Sequence, residues 1–122
     1  MKIINPATEE VIKDIREDSA DTLQPKYRLL KAAQPQWNKV PVQTRIGVLK
    51  KFSEQLNENI ESLAITLTSE VGKPLQQSRN EIKGAQTRIK WMTENAAKYL
   101  ADEIMTVAEG LEERISYEPL GV

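Results

Sequence analysis

Cysteine and histidine are both absent from these 122 residues. Without cysteine, the chain has no disulfide, no thiolate nucleophile and no sulfur ligand for zinc or an iron–sulfur cluster. Without histidine, it lacks the commonest general base and metal-binding side chain. Carboxylates and lysines remain available for catalysis, but most familiar catalytic constellations are excluded.

Charge and hydropathy exclude further classes of protein. The 17 Lys and Arg residues and the 18 Asp and Glu residues give a net charge of −1. No block of one charge stands out, so we expect no nucleic-acid partner. No run of about 18 apolar residues is present, so we expect no membrane span. The opening MKIINPATEEV lacks the long apolar stretch of a secretory signal, which makes a cytoplasmic location the expectation.

The first residues predict a β-hairpin and then a helix. Residues 2–4 and 11–15 flank a turn at Asn5-Pro6, where proline restricts its neighbour to an extended backbone. Ser19 is the predicted N-cap of the helix. An apolar stripe at helical spacing follows it, formed by Leu23, Tyr27, Leu30, Ala33 and Trp37. We expect a kink at Pro25, a helix end or bend at Pro35, and Trp37 as a core anchor.

Two more apolar stripes at helical spacing follow along the chain. The first consists of Ile46, Leu49, Phe52, Leu56, Ile60, Leu63 and Leu67. It predicts one long helix or two helices joined near residues 57–59. Gly72 is the predicted left-handed stop, and Pro74 opens the next helix. The second stripe consists of Leu75, Ser78, Ile82, Ala85, Ile89, Met92, Ala96 and Tyr99. It predicts an amphipathic helix with one face in the core.

We expect a loop at residues 106–110 and a strand at 113–117. The predicted fold class is therefore mainly α with an N-terminal β-hairpin and a C-terminal strand. The stripes are wider than a three-helix bundle with one hairpin needs, so we also predict exposed apolar patches and self-association.

None of the candidate motifs indicates an active site. A P-loop needs an earlier glycine and a Ser or Thr after its Gly-Lys pair, whereas Leu67 and Pro74 occupy those positions around Gly72 and Lys73. Three adjacent pairs of carboxylates are the candidates for acid–base chemistry, namely Glu9-Glu10, Asp102-Glu103 and Glu112-Glu113. All three lie beside turns or helix ends, so solvated surface is the better interpretation.

Several stretches in order resemble the beginning of the aldehyde dehydrogenase superfamily. They are INPATEEVI (residues 4–12), AAQPQW (32–37), Pro41 with Arg45 and Leu49, Leu63-Ala64, TSEVGKP (68–74), Ser78 with Glu81, and EPLGV (118–122). The family counterparts include NPAT-G-E-V-I at the start, T-x-E-x-G-K-P in the middle and R-E-P-L-G-V at the end. No single piece is diagnostic, but their order and spacing extend over essentially the whole chain.

The resemblance implies the opening part of an α/β aldehyde dehydrogenase fold, and thus the N-terminal segment of a longer enzyme. Residues 1–110 would hold the hairpin and helices that pack on the cofactor domain, and residues 111–122 would begin the oligomerisation arm. Family members oxidise an aldehyde with NAD or NADP through a cysteine thiohemiacetal and a thioester. Their catalytic and dinucleotide-contacting residues lie beyond the E-P-L-G-V motif. We therefore predict no catalytic or cofactor-binding residue here, and a full-length enzyme that is a homo-oligomer.

Some family members also hold a monovalent cation through backbone carbonyls near the opening Asn-Pro and an acidic side chain before the Gly-Lys. The matching positions are Ile3, Ile4 and Glu70, and oxygen ligands suit a hard cation. Local capping or pairing by Glu70 is the alternative.

Three residues depart from the family pattern. Glu10 is taken to replace the usual glycine of the hairpin turn, Pro25 interrupts a helix, and Tyr117 stands where arginine is common. The competing functional hypothesis is a free-standing helical interaction or oligomerisation module, such as a truncated non-catalytic paralogue.

Overall fold

The computed structural model describes the chain from Met1 to Val122. Its elements in chain order are β1 (Lys2–Ile4), β2 (Val11–Asp14), α1 (Ala20–Asn38), α2 (Val42–Glu58), α3 (Ile60–Val71), α4 (Leu75–Tyr99), β3 (Glu103–Ala108) and β4 (Leu111–Ile115). The predicted class is confirmed, and its C-terminal strand is one of a pair. No helix joins enough length to enough apolar character to cross a membrane.

The N-terminal hairpin is antiparallel and has an irregularity between Ile3 and Ile4. The Asn5 side chain accepts a hydrogen bond from the Ala7 backbone N–H at 2.9 Å, which fixes the start of the turn. Glu9 has a φ of 61°, in the left-handed region that favours glycine. The unusual backbone of this turn therefore lies at Glu9. The prediction that Glu10 replaces the glycine was wrong by one position.

Helix α1 begins as predicted at Ser19, whose side chain and that of Thr22 cap each other's backbone N–H groups. The helix continues through both internal prolines to Asn38, so Pro35 does not end it. A proline removes only one hydrogen bond of the helix ladder, and the neighbouring bonds carry the helix onward. The prediction of Trp37 as a core anchor was wrong, because 48% of it is exposed. No residue of α1 is buried, since the helix makes few contacts with the other elements.

The core lies where α2 and α3 pack on α4. Its buried apolar residues are Ile46, Ala64 and Ile82. Ala64 and Ser78 have no exposed area, and the Ser78 hydroxyl is 2.8 Å from that of Thr68. Small side chains on both helices let α3 and α4 approach closely, and the hydroxyl pair satisfies the polar atoms there.

The apolar stripe from Ile46 to Leu67 forms two helices, which is one of the two predicted alternatives. Asn59 separates α2 from α3, and its side-chain amide donates to the Gln55 carbonyl at 2.8 Å. That bond satisfies one of the carbonyls left free at the end of α2.

Helix α4 has the predicted bounds of an amphipathic helix, but its stripe is only partly covered. Ser78 and Ile82 are buried, whereas Ala85, Met92 and Tyr99 are exposed. Only 5 of the 122 residues are buried, and many large apolar side chains remain exposed. The predicted exposed apolar patches are thus confirmed, and self-association stays a prediction.

The last two strands form a hairpin, of which the sequence predicts one strand. The predicted loop at residues 106–110 was wrong, because β3 continues to Ala108 and pairs with β4. The strand expected at 113–117 is β4, which ends at Ile115. Gly110 takes a φ of 76° and supplies the turn, so the glycine marks the second residue of a tight turn and not a longer loop.

Candidate functional site

The junction between α3 and α4 contains Glu70, one of the three predicted cation ligands. Gly72 ends α3 in the left-handed conformation, and its N–H donates to the Thr68 carbonyl at 2.9 Å. Pro74 precedes α4 with an extended backbone, as expected for a proline at a helix start. The predicted stop and start signals are confirmed.

The N-terminal hairpin turn packs directly on this junction. A Cβ built on Gly72 would lie 2.8 Å from Cγ of Pro6, which is too close for any side chain. Next to this contact is a cavity of about 350 Å³ lined by Asn5, Ala7, Ile65, Thr68, Ser69, Gly72 and Leu75. The glycine thus lets the chain's first turn contact its third and fourth helices.

One ion pair connects α4 to the linker that precedes it, and a second connects α4 to α3. Lys73 pairs with Glu81. The Arg79 guanidinium donates to both carboxylate oxygens of Glu61, with its Nε at 2.9 and 3.2 Å and its second terminal nitrogen at 2.8 Å. These hydrogen bonds lower the pKa of Glu61 and raise the pKa of Arg79 from their ordinary values. The fork holds α4 in register with α3.

Ile3 and Ile4 lie on β1, and Glu70 lies in the last turn of α3. Met1 and Ile15 form a hydrogen-bonded pair, in which each backbone donates to the other. Hydrogen-bonded pairs alternate along an antiparallel ladder, so the Ile3 carbonyl faces its register partner Lys13. Glu70 is exposed, and its carboxylate forms no ion pair. The alternative of local pairing therefore has no partner in this structure.

The candidate cation ligands fit in their chemistry, because all are oxygen donors and a carbonyl has a second lone pair to offer. Protein side chains alone do not build a metal centre here, since no group of three His, Cys, Asp or Glu residues converges. The assignment of Ile3, Ile4 and Glu70 stays a prediction.

The paired carboxylates lie at the surface, as expected. Asp102 and Glu112 both pair with Arg114, at 3.4 and 3.6 Å. Tyr117 donates its hydroxyl hydrogen bond to the Glu103 carboxylate at 2.7 Å. This bond raises the pKa of Tyr117, because the phenol must keep its proton to donate. Tyr117, one of the three departures from the family pattern, therefore connects the segment after β4 to the first residue of β3.

Comparison with known proteins extends over the whole chain. The sequence profile of the aldehyde dehydrogenase family matches residues 1–122. The mitochondrial acylating methylmalonate-semialdehyde dehydrogenase of Arabidopsis thaliana is 30% identical over 120 residues, which cover 98% of this chain and 20% of that protein.

Solved structures give the same result for the fold. The glyceraldehyde-3-phosphate dehydrogenase GapN of Methanocaldococcus jannaschii, solved with NADP, aligns with a TM-score of 0.81 and 27% identity. The alignment covers 88% of this chain and 24% of that one. A putative aldehyde dehydrogenase from Burkholderia cenocepacia aligns with a TM-score of 0.91 over 98% of this chain and 24% of its own, at 21% identity that shows the fold alone.

The chain spans about a fifth to a quarter of the length of the relatives it matches. Within that part, the chain has the same fold as the matching stretch of the solved relatives. The chain belongs to the aldehyde dehydrogenase family.

Proposed function

We propose that residues 1–122 are the N-terminal, non-catalytic part of an NAD(P)-dependent aldehyde dehydrogenase. The observation that carries this proposal is the family match over the whole chain, combined with the absence of cysteine. The reaction consumes an aldehyde, water and oxidised NAD or NADP, and yields a carboxylic acid, the reduced dinucleotide and a proton. There, a cysteine thiolate would add to the aldehyde and a glutamate-activated water would hydrolyse the thioester, and NAD or NADP, when bound, would supply the hydride acceptor. All of these groups would come from outside residues 1–122.

The role left to this segment is structural. Residues 1–110 would pack on the cofactor domain, and the exposed apolar side chains of α4, such as Trp91 and Met92, support such a partner surface. Residues 111–122 would begin the oligomerisation arm of a homo-oligomer. The two-stranded sheet of β3 and β4 leaves an open edge on each strand, to which further strands can add. We further propose a cytoplasmic location for the enzyme.

Extending the reading frame past codon 122 tests this proposal. The extended product and residues 1–122 are expressed side by side and assayed for aldehyde-dependent reduction of NAD and NADP. We expect reduction by the extended product alone. A frame that closes directly after Val122 would favour the competing helical interaction module, and turnover by residues 1–122 would refute their non-catalytic role.

A monovalent cation at Ile3, Ile4 and Glu70 is part of the proposal and has its own test. The unfolding temperature of the wild type should rise when a large organic cation in the buffer is replaced by K⁺ or Na⁺. Glu70→Gln should abolish this rise. Glu54→Gln, an exposed acid on α2, is the matched control. Equal responses of the two variants and the wild type would remove Glu70 from the site.

A further inference from the structure

An apolar cavity of about 270 Å³ lies where the end of α1, the start of α2 and the end of α4 meet. Seven of its eight lining residues are hydrophobic, and the eighth is Arg45. Trp37 closes the cavity from α1, Ile46 and Leu49 from α2, and Leu100 from the end of α4. The lining offers no hydrogen-bond acceptor to the Arg45 side chain, whose Nε is shielded from water.

Arg45 has no polar partner in the structure. Its Nε is buried and makes no hydrogen bond. No ion pair involves its guanidinium, although the side chain is partly withdrawn from solvent. Buried polar atoms in proteins are nearly always hydrogen-bonded, so the Arg45 Nε is an unusual donor without an acceptor.

The start of α2 adds positive potential at the same place. Arg45 lies near the N-terminus of this helix, where its backbone N–H donates to the Pro41 carbonyl at 3.2 Å. The first turn of α2 contains no acidic residue, and no side chain caps it. A cation near the positive end of a helix is unfavourable, whereas an anion there is stabilised. The helix end and the unpaired guanidinium therefore favour the same kind of ligand.

We propose that this cavity is a docking site for an acidic side chain, an Asp or Glu flanked by apolar residues, from polypeptide outside residues 1–122. The carboxylate would accept the hydrogen bonds that Arg45 does not make here, and the flanking apolar groups would fill the space between Trp37 and Leu100. The acidic residue would come from the remainder of the enzyme, and in this respect the inference rests on the proposed function. Nothing within the first turn of α2 supplies such a group.

Photo-crosslinking in the intact protein identifies the occupant. Trp37, which lines the cavity and is 48% exposed, is replaced by p-benzoylphenylalanine. We expect capture of one peptide from outside residues 1–122 that contains an Asp or Glu. Capture only within residues 1–122, or of a peptide without an acidic residue, would overturn the proposal. Aldehyde oxidation by the same preparation reports separately on the proposed function.

Variants of Arg45 test the ion pair. Arg45→Met should raise amide hydrogen exchange in the first turns of α2 by about 30-fold, because removing one partner of a buried pair leaves the other charge unpaired. Lys51→Met, an exposed change on the same helix, is the matched control and should have little effect. Arg45→Lys should keep part of the protection. In the double variant, neutralising the captured acid should increase hydrogen exchange little beyond the level of Arg45→Met alone. Purely additive effects of the two changes on exchange would contradict a direct pair.

A small ligand is the competing occupant. In the intact protein, octanoate is titrated while tryptophan emission is followed, and Trp37→Phe identifies the part of the signal that belongs to Trp37. We expect no saturable change, because the polypeptide carboxylate already occupies the site. A saturable change that is lost in Arg45→Met and that removes the crosslink would assign the cavity to a free hydrophobic carboxylate and overturn the proposal.

Discussion

Pro6 and Gly72 are in direct contact, and the contact leaves no room for a side chain at position 72. A Cβ there would lie 2.8 Å from the Pro6 ring, and Gly72 also has a φ of 71°. Two independent constraints, the close approach and the backbone conformation, therefore require glycine at this position. Through this contact the first turn of the chain is held against the α3–α4 junction.

Gly72→Ala should lower the free energy of unfolding by about 2 kcal/mol or more, combining left-handed strain with displacement of the Pro6 ring. Two other glycines separate these causes. Gly110 also has a positive φ, but no atom lies near its would-be Cβ, so Gly110→Ala should lower the free energy of unfolding by only about 1 kcal/mol. Gly47 lies within α2, and Gly47→Ala should raise it by about 0.5 kcal/mol. Urea denaturation measures all three. Equal losses at positions 72 and 110 would mean that the Pro6 contact contributes nothing.

Glu9→Gly should stabilise the protein by about 1 kcal/mol, because Glu9 is the only residue other than glycine with a positive φ. Glu10→Gly is the matched control. It has no such strain to relieve and should lose up to about 1 kcal/mol through added freedom of the unfolded chain. The difference between the two variants in chemical denaturation is the measurement, and the opposite order would refute the assignment of the strained residue.

Glu103→Gln should lower the pKa of Tyr117 toward its ordinary value of 10.0, because the phenol loses its carboxylate acceptor. A pKa raised by folding means that this contribution to stability is complete below about pH 10 and is lost as the pH rises through the raised pKa. Ultraviolet titration of tyrosinate, with Tyr117→Phe to identify the signal, measures the shift. A Tyr117 signal that titrates identically with and without Glu103 would exclude the hydrogen bond.

Arg79→Met should raise the pKa of Glu61 toward its ordinary value of 4.5, since the hydrogen bonds from Arg79 are the main cause of its depression. A depressed pKa means that the pair stabilises the fold above this ordinary value and that the contribution is lost as the pH falls through the lowered pKa. Lys83→Met removes a weaker charge effect on Glu61 and should shift it less. NMR titration of the Glu61 carboxyl compares the two. A larger shift in Lys83→Met would place the main interaction elsewhere.

Local signals predicted most of the fold. The Ser19 cap, the Gly72 stop and the long α4 pattern all depend on residues near in sequence, and the structure confirms each. The helix end at Pro35, one of its two predicted alternatives, and the loop at residues 106–110 were wrong for local reasons as well. A proline at position 35 costs a hydrogen bond without ending a helix, and the glycine at position 110 completes a two-residue turn.

Burial was harder to predict, because periodicity shows which helix face is apolar but not what covers it. Trp37 belongs to a clear stripe, yet it lies half exposed beside the Arg45 cavity. Arg45 itself was noted only as part of the family pattern. Its significance depends on three elements that meet in space, and the sequence signal available was the lack of acidic residues in the first turn of α2. The prediction of a cation site at Ile3, Ile4 and Glu70 was based on the family pattern alone.

A split enzyme tests most directly whether residues 1–122 contribute structure and not chemistry. The extended protein is expressed as two chains, residues 1–122 and the remainder, and aldehyde-dependent formation of NADH or NADPH is measured for each chain and for the mixture. We expect no activity from residues 1–122, little from the remainder and recovery on mixing, with weaker recovery for Gly72→Ala. Formation of NADH or NADPH by residues 1–122 alone, or full activity of the remainder without them, would contradict that role.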